Sequence, residues 1–157
     1  MEPTRIQLRL AEGLGLSQAV RQVADALAAG AGDRKAAGRA RDIAAGAAVW
    51  QERLNERVVA EPATRDRLTT HARGVRDRAI RAALADEDPL TLAEQLAALT
   101  HREAAHWAVL RRLAKAVDDR ATLALAREAR PIAGARAASA LKACRRLAKR
   151  EARAAAG

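Results

Sequence analysis

Apolar residues along the chain recur at alternating steps of three and four, the spacing that lines one face of an α-helix. Leu16, Val20, Val23 and Leu27 form the first such row, on a helix predicted from Thr4 to Ala29. Gly13 and Gly15 weaken it, so the pattern predicts a kink there or a start at Ser17, a good N-cap residue. Gly30-Ala31-Gly32-Asp33 closes this helix and caps the next. The second helix is predicted over 34–59, presents Ala36, Ala40, Ile43, Ala47, Trp50 and Leu54, and stops at Glu61-Pro62. A third, over 63–85, carries Leu68, Ala72, Val75 and Ala79 and ends at Asp86-Glu87-Asp88-Pro89.

Thr91 and Glu94 then form a capping-box pattern for a fourth helix. Its stripe is the most informative in the chain: Leu92, Leu96, Leu99, Glu103, His106, Leu110, Leu113 and Val117. Six of these are apolar, which makes the stripe a core face, and the two in the middle are a carboxylate and an imidazole. Asp118-Asp119 ends this helix and caps a fifth over 120–130. Pro131 lacks an N–H and clashes with the preceding turn, so it predicts a kink or a restart. Ile132 to Arg153 reads as a basic helix, with a frayed Ala154-Ala155-Ala156-Gly157. Short connections between long helices favour an up-and-down antiparallel bundle. The expected organisation is four long helices plus C-terminal helices: a bundle over 1–135, and a basic helix over 136–157 packed on it or extending from it.

Composition sharpens the class. A chain of 157 residues suggests one domain. Alanine exceeds a quarter of it, Phe and Tyr are absent and Trp occurs twice, so the 50% apolar content overstates the core. Good helix formers dominate, and an all-α protein follows. A core so rich in alanine buries little area per residue, which favours modest stability or self-association. The single Cys144 fits a reducing compartment, the N-terminus carries Glu2, Arg5, Arg9 and Glu12, and no window has the apolar length of a membrane span. The expected location is the cytoplasm, with no membrane partner. The net charge of +10 points towards anionic partners, and residues 118–157 hold ten bases against four acids, or +6 of it.

Glu103 and His106 offer the first chemistry. A Glu-x-x-His pair aimed inward is a unit of carboxylate-bridged di-metal bundles, and its hard oxygen and borderline nitrogen suit iron, manganese or zinc. A complete site needs two such pairs and two further carboxylates; this chain has one Glu-x-x-His. Glu128 shares a row with Ala121, Leu125 and Ile132 and is a further candidate ligand, while the rows of the first two helices hold no Asp, Glu or His. The alternative is a buried Glu–His polar pair. A working metalloenzyme would need ligands from a second chain.

Lys142, Arg145, Arg146, Lys149, Arg150 and Arg153 offer the second, on one broad side of the last helix with Leu141, Cys144 and Ala148 on another. Bases at helical spacing can follow the phosphates of nucleic acid or another polyanion; the alternative is a solvated surface. No interleaved aromatics support stacking on single strands, and the apolar side lacks residues that insert into a membrane. His71 lies at the edge of its row and His101 off the face of His106. Basic neighbours of Cys144 favour its thiolate, but no His partner is placed beside it. There is no Gly-rich phosphate loop, Ser-His-Asp arrangement or paired-cysteine zinc motif, so no catalytic residue is assigned.

Between Glu103 and Arg130, the residues Glu103, Trp107, Leu110, Leu113-Ala114, Ala116-Val117, Asp119, Leu125-Ala126 and Glu128 resemble the third-to-fourth helix passage of the small ferritin-like stress proteins of the YciE/YciF type. A looser likeness runs over Gly15–Leu54. The resemblance implies a ferritin-like bundle in a stress-related role, with Glu103 as a ligand position and Glu128 as a second. Where that family places its other ligands, this chain has Ser17-Gln18, the stretch Ala44–Trp50, and Pro131-Ile132-Ala133-Gly134. The implied metal site is therefore largely erased.

Overall fold

The computed structural model describes residues 1–157 and contains five helices and no strands: α1 Arg5–Gly30, α2 Arg34–Val59, α3 Arg65–Ala83, α4 Pro89–Ala116 and α5 Arg120–Ala156. Thr4 caps α1 in a reciprocal box with Gln7. Asp33 caps α2 through the Ala36 N–H, and Asp119 caps α5 through that of Thr122. Gly32, at a φ of 62°, makes the left-handed step of the α1–α2 turn, which a side chain would oppose. No helix is long and apolar enough to cross a membrane.

Four helices form a ring in the order α1, α2, α5, α4, and α3 packs outside it, chiefly along α1. The bundle is thus not made of the first four helices, as the sequence pattern predicts. Pairs between α2 and α5 fix their relative direction: Arg39 meets Ser139, Arg53 meets Glu128 and Arg57 meets Thr122. As one number rises the other falls, so these two helices run in opposite directions. Ser17 against Glu103 and Arg9 against His106 give the same opposition for α1 and α4. Glu12 against His71 and Gly15 against Val75 show α3 running alongside α1 in the same direction.

Enclosure of α1 by three neighbours accounts for Gly13 and Gly15. A Cβ on Gly15 would stand 2.9 Å from the Val75 Cβ and closer still to the Ala72 carbonyl oxygen. The two helices touch backbone to backbone, so α1 runs unbroken through Gly13 and Gly15. Ser17, read from the sequence as a cap, is interior and 1% exposed.

Three further expectations change. The cap of α4 is Asp88, which accepts the Thr91 N–H, with Pro89 in the first turn, so Thr91 and Glu94 do not form the capping box. Leu113 is only half-buried and Val117, just past the helix end, is exposed, so Trp107 and Ala114 complete the core there. Pro131 neither ends nor restarts α5. It sits on the exposed side of a continuous helix whose inward Ala129 and Ala133 are fully buried. The boundary drawn at 135/136 falls inside that helix. Ala137, Ala140, Ala143 and Leu147 are packed core, so the segment is a bundle element as far as Leu147 and exposed beyond Arg150.

Candidate functional site

Most of the buried apolar residues fall into two separate clusters. One draws on Ala19–Ala31, Ala36–Ala47, Leu92–Leu99 and Ala140–Leu147, with Ala79 and Ala83 of α3; the other draws on Leu10–Leu14, Trp50–Val58, Trp107–Leu110 and Leu125–Ala133, with Leu68 and Ala72 of α3. Between them lies a polar layer with one contribution from each of three bundle helices: Ser17 on α1, Glu103 on α4 and Arg136 on α5. An Nη2–H of Arg136 donates to Glu103 Oε1 at 2.7 Å, and the Ser17 hydroxyl donates to Oε2 at 3.2 Å. Glu103 is 1% exposed and Arg136 7%. The fourth helix contributes Gly46, where an added Cβ would come within 3.7 Å of Arg136 Nη1. That is ordinary van der Waals distance, so α2 lines the layer with backbone and adds no polar group to it.

Burial pushes the Glu103 carboxyl above its usual range, against the opposing pull of Arg136 and Ser17. Arg136 Nε and Nη1 are buried without a partner, so the layer is only partly satisfied. Such a layer contributes little net stability, yet removing one partner is costly, because it strands a charge away from water.

His106 has a different partner. A carbonyl only accepts, so the Nε2–H of His106 donates to Arg9 O at 2.8 Å, and Gly13 lies flush against the ring. Its Nδ1 faces Glu12 Oε2 at 3.9 Å, and burial lowers its pKa. Glu12 in turn accepts from Arg9 at 2.7 Å and lies 3.5 Å from His71 Nε2. Glu103 and His106 therefore share the inner face of α4 but serve separate contacts.

Glu128 is elsewhere. It is exposed on α5 and takes both Nη atoms of Arg53, at 2.7 and 2.9 Å, while that guanidinium covers Trp50 at 4.4 Å. Its row turns away from the centre, so Glu128 is not a ligand beside Glu103. A metal suggested by the ferritin resemblance does not fit these residues. The cation against Glu103 is Arg136, and no three His, Cys, Asp or Glu side chains are grouped to hold an ion. Cys144 is half-buried, and burial together with nearby Glu94 raises its pKa, which disfavours the thiolate. His101 is exposed and bonds the Ala97 carbonyl of its own helix.

On the C-terminal half of α5, Lys142, Arg145, Lys149 and Arg153 are exposed opposite the buried Ala140, Ala143 and Leu147. Arg146 and Arg150 differ from them. Arg146 Nε contacts Asp33 Oδ1 at 2.6 Å, and Arg150 Nη1 lies 3.5 Å from Oδ2 and also reaches the Gly32 carbonyl.

The decisive residue, Arg136, is absent from the sequence-derived candidates. Its signal was readable: it occupies the four-three row Ala129, Ala133, Arg136, Ala140, Ala143, Leu147, a lone charge on an otherwise apolar face. No protein-family model, curated protein or solved structure matches the chain.

Proposed function

We propose that this protein is a non-catalytic helical bundle of ferritin-like, antiparallel architecture, acting as a binding or assembly module. Two helical hairpins, α1–α2 and α4–α5, are joined by a segment that crosses back along the bundle, as a ferritin-like fold requires of its single long crossover. In this reading α3 is that crossover. The carrying observation is the 2.7 Å contact of Arg136 with Glu103 at the centre of the ring. A guanidinium there supplies the positive charge that a carboxylate-bridged metal would otherwise supply, without Lewis acidity or an open coordination position. The thin alanine core makes self-association a natural companion of this role.

Metal analysis of protein purified without chelator tests the reading. We expect less than stoichiometric iron, manganese or zinc, and the same thermal midpoint with and without chelator. Stoichiometric metal that leaves on chelation and is lost in Glu103→Ala would replace this reading with a di-metal carboxylate protein completed by a second copy.

A further inference from the structure

We infer that the N-terminal part of α2 and the C-terminal part of α5 form one surface for the phosphate backbone of duplex nucleic acid, with Asp33 as its built-in counter-ion. This goes beyond the bundle reading and does not depend on what occupies the bundle centre. The opposed register of α2 and α5 puts the start of α2 beside the last turns of α5, as the contacts of Asp33 with Arg146 and of Arg39 with Ser139 record. Lys35 and Arg39 therefore flank the same side as Lys142 and Lys149, and a stripe on α5 alone describes only half of it. Asp33, Arg146, Lys149, Arg150 and Arg153 line a groove of about 460 Å³ that contains no hydrophobic residue. It holds four cations against one carboxylate.

That carboxylate is already occupied. The Arg146 guanidinium and the Ala36 N–H hold Asp33 down to about 2, so it stays ionised at neutral pH. Two of the four cations are thus partly neutralised from within, while Lys149 and Arg153 form no ion pair. A phosphate entering the groove competes with Asp33 for Arg146 and Arg150 and meets the other two free. Exposed unpaired cations at helical spacing suit a regular row of phosphates, where each neutralised contact releases a counterion. The face has no aromatic residue for single-strand stacking and no large apolar residue for insertion into lipid, which favours duplex over both.

The test uses the full chain and a labelled mixed-sequence duplex of about 20 base pairs, with anisotropy titrations over a salt series. Circular dichroism on each variant checks that the helices remain. Binding should fall linearly in log–log form, with a slope of roughly 0.9 per contact. Lys149→Ala with Arg153→Ala should reduce the slope by about 1.8, and Lys35→Ala on the other helix by about 0.9. Asp33→Asn keeps a residue able to cap α2 but removes the charge, so it should tighten binding and steepen the slope by up to about 1.8. No binding at 50 mM salt, slopes unchanged in the lysine and arginine variants, or capture by phosphatidylserine vesicles but not duplex would each overturn the surface. Weaker binding by Asp33→Asn would overturn the counter-ion role.

Discussion

Glu103 and Arg136, thirty-three residues apart on neighbouring helices, meet at 2.7 Å in the middle of the bundle and divide its core in two. Apolar packing of alanines is permissive, because small side chains slide past one another with little change in area. A charged pair is not: shifting α5 by one turn against α4 would strand both groups. The layer therefore fixes register where the alanine rows cannot, a role attested for buried polar groups in other helical assemblies.

Gly15→Ala should destabilise the protein despite the better helix propensity of alanine. The added methyl meets Val75 and the backbone of Ala72, and overpacking of this kind costs about 1–3 kcal/mol, against a propensity gain of about 1 kcal/mol. A raised urea midpoint in this variant would show that α1 and α3 are not in close contact.

Opposite behaviour is expected on the exposed side of α5. Gly134 has open space where a Cβ would go, so Gly134→Ala should stabilise by roughly 0.5–1 kcal/mol. Pro131→Ala restores a helical N–H and should add up to about 3 kcal/mol. Thermal midpoints of the two variants check this; a fall in the second would mean that the helix bends at Pro131 to reach its packing.

His106 sets a pH dependence. Burial holds its folded pKa below the usual 6.5, so between the two values the unfolded chain carries a proton that the native state does not. Stability from this group is intact above pH 6.5 and declines as pH falls through that window. His106→Gln, whose amide can still donate to the Arg9 carbonyl, should lose less stability than the parent between pH 7 and 5 in urea titrations. Parallel losses in the two proteins would assign the acid sensitivity to other groups.

Much of the fold was legible in the sequence because three- and four-residue spacing and capping residues are local. Helix boundaries at Thr4, Asp33 and Asp119 follow from residues within one turn of them. Legibility ended where the deciding partner lies on another helix. Ser17 looks like a cap until Glu103 is placed opposite it, and Gly15 looks like a weakness until α3 lies against it. Pro131 reads as a break because its sequence does not reveal the packing of Ala129 and Ala133 that carries α5 on through it. The inward aim of Glu103 is visible in its stripe, but Arg136 looks like the first base of a basic tail, since charge alone does not tell a core cation from a solvated one.

A double-mutant cycle on Glu103 and Arg136 tests the central claim most directly. Glu103→Leu or Arg136→Met alone leaves one buried charge unpaired and should cost about 3–5 kcal/mol in urea unfolding. The double variant replaces the pair with apolar side chains, and should recover most of that loss or exceed the parent. Small and additive single effects would contradict the account, because they would mean that the two residues do not form a buried ion pair at the centre of the bundle.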